Sequence, residues 1–276
     1  ARMLDATEEG SSRLGAVYSA NIAGAVGGCL LAGFYLLRVY DMGVATYAAA
    51  ACNLVAAALA YTKLSVPVSI AASKDGARND AWKLVYAAIF LSGLTALGAE
   101  VVWTRLLSLL MGATVYAFSL ILAVFLIGLW LGSWAGSAMA RRNKNVLLRL
   151  AACQLLLVCA IAWSAYTIAV ILPRWPVDPW FAGSPWYNFD FDFTRALRAI
   201  FLPTLLWGAS FPLALAGVAR PGTDPARFSG EVYAINTLGS ILGALLFSLA
   251  AIPGLGTRGS QEVLIGLSAA AAIVAL

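Results

Sequence analysis

The chain has 276 residues, 62% of them apolar and 11% charged, with a formal net charge of +5. A soluble domain carries about 25% charged residues, so a water-solvated globule is excluded and lipid must be the solvent for much of the surface. A chain this apolar without a basic tract also excludes nucleic-acid binding.

There is no histidine, which removes the commonest metal and haem ligand and the usual proton shuttle. No cofactor or metal is expected. Cys29, Cys52, Cys153 and Cys159 fall inside apolar segments without a CxxC pair and read as small buried hydrophobes.

In chain order, residues 1–14 are polar and are expected at a membrane surface. A first crossing follows at 17–40, then a tight turn at 41–43 and a return at 44–64. Residues 65–83 form a basic polar linker. Residues 84–110 and 115–140 read as a central hairpin around which the rest packs, broken at 111–114. A basic turn, ARRNKN, spans 140–145, and a fifth crossing runs over 146–172.

Residues 173–193 form an aromatic, acidic loop punctuated by proline. A sixth crossing spans 194–219, a loop 220–231, a seventh crossing 232–252, a turn 253–260, and an eighth begins at 261. Each approaches the roughly 20 residues that a helix needs to span hydrocarbon. Only helices are expected, because backbone polar groups in lipid must pair internally. The fold class is therefore an all-α polytopic membrane protein of about eight transmembrane helices.

Orientation follows from Lys and Arg. Of the 18 basic residues, twelve fall on the side of the N-terminus and six elsewhere. The positive-inside rule then predicts a plasma-membrane or inner-membrane protein with both termini cytoplasmic and the aromatic loop outside. The start ARMLDATEEG carries no signal peptide. AAAAIVAL stops in mid-helix, so both ends are expected to be cut.

One pattern occurs twice, at a constant offset of 215 residues. Tyr18, Asn21, Gly24 and Gly28 match Tyr233, Asn236, Gly239 and Gly243, and each copy opens a membrane helix. Asn in a first turn can satisfy free amides or bond to a neighbour, and the glycines admit a second backbone. The spacing predicts six-helix units: the last two helices of one (1–64), the linker (65–83), and all six of the next (84–276). Two such units are the plan of the major facilitator fold. A partner supplying the missing N-terminal half, or other membrane subunits, is expected beside the lipid bilayer itself.

The segments LSGLTALGAEVVWTRLLSLLMGATVYAFSLILAVFLIGLWLGS (91–133), GASFPLAL (208–215) and VYAINTLGSILGALL (232–246) resemble the membrane part of the fused major-facilitator/spermidine-synthase-like proteins. The resemblance implies a facilitator-like bundle, with more helices before this segment and, in many members, an aminopropyltransferase-like domain after it. This chain has no glycine loop after a strand for S-adenosylmethionine or its decarboxylated form, so enzyme activity does not carry over.

Several residues are candidates for recognition. Glu100 and Arg105 are ionisable groups inside a crossing, where each costs about 2.5–3.5 kcal/mol on insertion scales and so pairs or faces water. Five residues apart, they point to different faces. Glu100 reads either as a cation site or proton relay in a cavity, or as a clamp between helices. Arg105 reads as a ligand group or as a cation snorkelling to the surface.

Asn21 and Asn236 read as packing residues or ligand groups. In the aromatic loop Trp180 and Trp186 interleave with Asp178, Asp190 and Asp192. Rings and carboxylates together suit a polyamine, while an interfacial aromatic belt explains the same residues. Arg195 and Arg198 are placed to neutralise the aspartates. Gly128, Gly132 and Gly136, like Gly24 and Gly239, predict close helix packing. The function expected is a transporter-like module for a cationic small molecule. The alternatives are a structural subunit of a larger membrane complex and an anchor for a separate aminopropyltransferase.

Overall fold

The computed structural model describes residues 8–63, 81–141, 145–176, 180, 184–219 and 225–275, with side chains except at 8–18, 63, 81 and 225–226. Among these residues every regular element is helical. Helix α1 (Glu8–Leu30) continues through a π-helical segment (Leu31–Leu36) into the short α2 (Leu37–Val39). The next helices are α3 (Met42–Lys63), α4 (Ala81–Met111), α5 (Val115–Arg141) and α6 (Val146–Tyr166). α6 ends in a π-helical segment (Thr167–Ile171) and a 3-10 turn (Leu172–Arg174). Then come α7 (Pro185–Val218), α8 (Pro225–Leu246), a π-helical segment (Phe247–Ala251) and α9 (Ile252–Ala275).

Among the described residues seven stretches are long and apolar enough to cross a bilayer, and the fold is a polytopic helical membrane bundle. The segments expected as the seventh and eighth crossings fall in one stretch of 49 residues, Arg227–Ala275. Gly256 interrupts it with φ 69° and ψ 179°, a conformation open essentially to glycine alone. The segment beyond packs on α4 and α6.

Contacts order the bundle between two ends. At the basic end Tyr86 Oη, early in α4, donates to Glu231 Oε2, early in α8, at 2.7 Å. At the aromatic end Phe34 meets Tyr116 and Phe189 edge-on at 5.7 and 5.6 Å. There also Arg195 Nη2 donates to the Leu172 carbonyl at 3.2 Å. All three π-helical segments lie in the halves of their helices toward this end. α1 and α8 run in the same direction. α1 finishes against the start of α5, where Cys29 Sγ lies 3.6 Å from the Ser119 carbonyl, and α8 begins beside the start of α4. The two copies of the Tyr-x-x-Asn-x-x-Gly pattern therefore enter from the same end.

The expected central hairpin is not a packed pair. α4 and α5 are consecutive, but α4 packs chiefly on α8, α9 and α7, and α5 on α7 and α1. Backbone approach decides this. A Cβ on Gly132 would collide with the Leu205 carbonyl of α7, one on Gly128 with the Thr204 hydroxyl, and one on Gly208 with the Leu129 carbonyl of α5. At Gly136 it would stand 2.6 Å from the Ala209 carbonyl oxygen. The α4–α8 contact is built alike: a Cβ on Gly239 or Gly243 would overlap the carbonyl of Phe90 or Leu94.

Two hydrophobic clusters fill the bundle. The larger joins Trp103, Leu107, Val124, Leu157, Ile161, Ile200, Trp207, Phe247 and Leu264. The smaller, at the basic end, gathers Val85, Ile89, Leu150, Leu213 and Val232. α3 stands apart from the bundle, and α1 packs on α5 along one face while the rest of its surface is uncovered. None of the α3 span is buried, and 6% of the α1 span is. Among the described residues Gly24, expected to pack, has nothing within 4 Å of the place its Cβ would take; neither do Gly27 and Gly28. The close approach comes just beyond α1, from Gly33 of the π-helical segment, against the Ser119 side chain.

Candidate functional site

The residues singled out from sequence lie at three depths. Glu100 is near the middle of α4, partly exposed, with no ion pair or hydrogen bond among the described residues. Its level is fixed by α7. Trp207 Nε1 donates to Thr95 Oγ1 at 3.2 Å, and the Trp103 and Trp207 rings lie 5.6 Å apart. Asp192 is fifteen residues from Trp207 along α7, about 22 Å at 1.5 Å per residue. The carboxylates of α4 and α7 are therefore not brought together.

Asn236 lies toward the basic end, where a Cβ on Gly93 would strike its carbonyl. That is seven residues from Glu100, about 10 Å along α4. Asn21 is exposed on α1. Arg105 is exposed and points away from the core. It lies six residues from the end of α4, about 9 Å, within reach of a snorkelling side chain.

The aromatic end is more organised than a loop. α7 begins at Pro185, nine residues before the expected crossing, so Trp186, Asp190 and Asp192 sit in its first turns. Proline is favoured there because its missing N–H is unneeded. Asp192 and Arg195 are three apart on one face and pair at 3.8 Å, both side chains largely buried. Arg195 also lies over the Phe191 ring at 4.7 Å.

Around this pair stack Phe189 and Phe193 at 5.9 Å. The buried Tyr116 Oη and Arg195 Nε have no partner among the described residues. Arg198, expected to neutralise an aspartate, meets no carboxylate among the described residues; its guanidinium stands over the Trp163 and Trp175 rings at 5.8 and 5.5 Å. Asp190 and Trp186 are exposed, and Trp180 is 93% exposed. Asp178, the linker 65–80 and residues 142–144 lie outside the described residues.

Sequence reading missed a polar seam through the core. Gln154 Nε2 donates to Ser210 Oγ at 3.0 Å, Ser210 Oγ donates to the Leu206 carbonyl at 2.9 Å, and Cys153 Sγ lies 3.3 Å from that carbonyl. Thr95, Trp207 and Trp103 continue the seam toward α4. One signal was available: tryptophans in membrane proteins favour the interface, so Trp103 and Trp207 in mid-span mark a packed interior. Among the described residues no three His, Cys, Asp or Glu side chains gather closely enough to hold a metal ion.

Fold and site together define a class, a polytopic membrane bundle with a polar seam and an aromatic, charged end. Comparison with protein-family models, curated proteins and solved structures finds no match.

Proposed function

We propose that the chain is a packing module of a larger membrane assembly, in which α1 seats on a further apolar helix that carries a small residue at the contact. One observation carries this reading. In α8 the glycines of the repeated pattern lie against the α4 backbone. In α1 the matching Gly24 and Gly28 face open space on an apolar helix that the bundle barely covers. Without a hydrophobic force between helices in lipid, such glycine faces are what bring backbones together.

The facilitator-like plan of two six-helix units accounts for this vacancy. It also accounts for the shared direction of α1 and α8, and it places an eighth crossing beyond Gly256. Lys and Arg placement sets both termini on the cytoplasmic side. The resemblance to spermidine-synthase-like membrane domains belongs to this proposal.

The test is photo-crosslinking from position 24 in native membranes. The expected product is one apolar helix with a small residue at the mapped site. It should disappear when Gly28, one turn along the same open face, is replaced as Gly28→Leu, while the thermal unfolding of the purified chain stays unchanged. Purification as a monodisperse monomer with no crosslink from position 24 refutes the module.

A second reading, a pathway for a cationic small molecule such as a polyamine, is favoured by Glu100. An ionisable side chain at mid-depth without a partner is a functional candidate by default. Its test is binding of labelled spermidine, with Glu100→Gln. Unchanged saturable binding in that variant removes Glu100 from the site.

A further inference from the structure

Arg198, on α7 where it faces α6, has donors that no acceptor among the described residues takes up. Arg195, one turn away, is occupied by Asp192 and the Leu172 carbonyl. The Arg198 guanidinium has no carboxylate and no hydrogen-bond acceptor among the described residues. It is held instead by two indole rings, Trp163 at 5.8 Å and Trp175 at 5.5 Å. Ring faces fix the position of a guanidinium without consuming its N–H groups. The result is a positioned cation with its donor edge free.

Depth says what surrounds it. α7 has 34 residues, about 51 Å at 1.5 Å per residue, against about 30 Å of hydrocarbon. Residues 199–218 carry no charged side chain, whereas 190, 192, 195 and 198 are all charged. Twenty uncharged residues account for the hydrocarbon, so Arg198 stands at its boundary. Trp163 and the neighbouring Tyr166 are 41% and 53% exposed on the outside of the bundle, as lipid-facing aromatics at a boundary are. Arg174, exposed and next to Trp175, adds a second positive charge at the same end.

We propose that Arg198, set between Trp163 and Trp175, binds a phosphate group, and that a phospholipid headgroup supplies it. A guanidinium fork matches two phosphate oxygens, and at this depth the phosphodiester is the abundant acceptor. The site is separate from the open face of α1 and from Glu100, so it stands or falls independently of either functional reading.

The experiment uses the full chain extracted from vesicles of phosphatidylglycerol and phosphatidylcholine, with retained lipid read by native mass spectrometry. Wild type should keep phosphatidylglycerol in preference. Arg198→Gln should lower that retention about fivefold, the factor one basic group contributes near an anionic surface. Arg198→Lys keeps the charge but not the planar fork and should fall between. Trp163→Leu keeps the charge of Arg198 but removes one of the rings that position it, and should lose the preference while unfolding near the wild-type temperature. It also serves if Arg198→Gln does not fold.

A parallel titration with inorganic phosphate separates the sources. Saturable binding lost in Arg198→Gln, without lipid retention, overturns the lipid assignment in favour of soluble phosphate. Equal phosphatidylglycerol retention in wild type, Arg198→Lys and Trp163→Leu overturns the site.

Discussion

Replacing Gly132 by alanine probes the contact between α5 and α7 most directly. The added Cβ would collide with the Leu205 carbonyl, and that atom is backbone, so no side chain can swing aside. Gly128 and Gly136 on one helix and Gly208 on the other hold the same spacing, so relief requires separating the two helices along the whole contact. Ordinary van der Waals contact begins near 3.4 Å; even at Gly136, the least crowded of the three on α5, a Cβ would stand 2.6 Å from the Ala209 carbonyl. Overpacking of this kind costs about 1–3 kcal/mol, and a backbone obstacle places Gly132→Ala at the upper end.

The control is Gly24→Ala, which meets nothing within 4 Å. It should gain up to about 1 kcal/mol from helix propensity. The assay is reversible unfolding of the purified chain in mixed micelles. The expected signature is opposite signs for two identical chemical changes. If Gly132→Ala is no less stable than Gly24→Ala, the account of α5–α7 packing is wrong.

Other outcomes follow from the polar seam and the aromatic end. Thr95→Val removes the acceptor of the Trp207 indole and should cost about 1–3 kcal/mol for a buried donor left bare. Adding Trp207→Phe should recover most of that, and a double-mutant cycle in the same unfolding assay measures it. Ser210→Ala strands Gln154 Nε2 and should cost about 1–2 kcal/mol. Gln154→Leu removes the donor together with its unpartnered Oε1 and should cost less, so the reverse ranking in unfolding temperature would contradict the seam. Asp192→Asn weakens the pair with Arg195. Both side chains are largely buried, so the loss should be about 3 kcal/mol and should change little as salt is added.

Much of the fold was legible because lipid leaves few choices. Runs of apolar residues longer than twenty can only be helices, so α4, α5 and α6 were visible with boundaries close to those observed, and α7 at its C-terminal end. The glycine spacing at 128, 132 and 136 was visible too. Its partner was not, because small residues announce close approach without saying to what. Chain adjacency suggested α4 against α5; the matching Gly208 and the carbonyls of Leu205 and Ala209 put α5 on α7 instead.

The start of α7 was misplaced because its first turns, PWYNFDFDF, look like a loop. Their helicity comes from the Pro185 start and from stacking of Phe189 on Phe193 and Tyr187 on Phe191. Arg195 was read as a neutralising charge for the aspartates as a group, and its particular partner, Asp192, came only from the structure. The fate of Arg198 depended on Trp163, a residue of another helix that no local pattern connects to it.

The partners of α4 and α5 have a bearing on how the chain is made. α5 waits for α7, and α4 for α8 and α9, segments synthesised some seventy to about a hundred and fifty residues later. During that interval the glycine faces of the early helices are bare to lipid and to whatever else shares the translocation site. Helices inserted one after another can hold their places in a bilayer before they associate, but distant pairings close slowly. A chain truncated before residue 225 would therefore reach the membrane with α4 lacking the neighbour that lies along its backbone. That predicts a half-built bundle exposed to quality-control proteases.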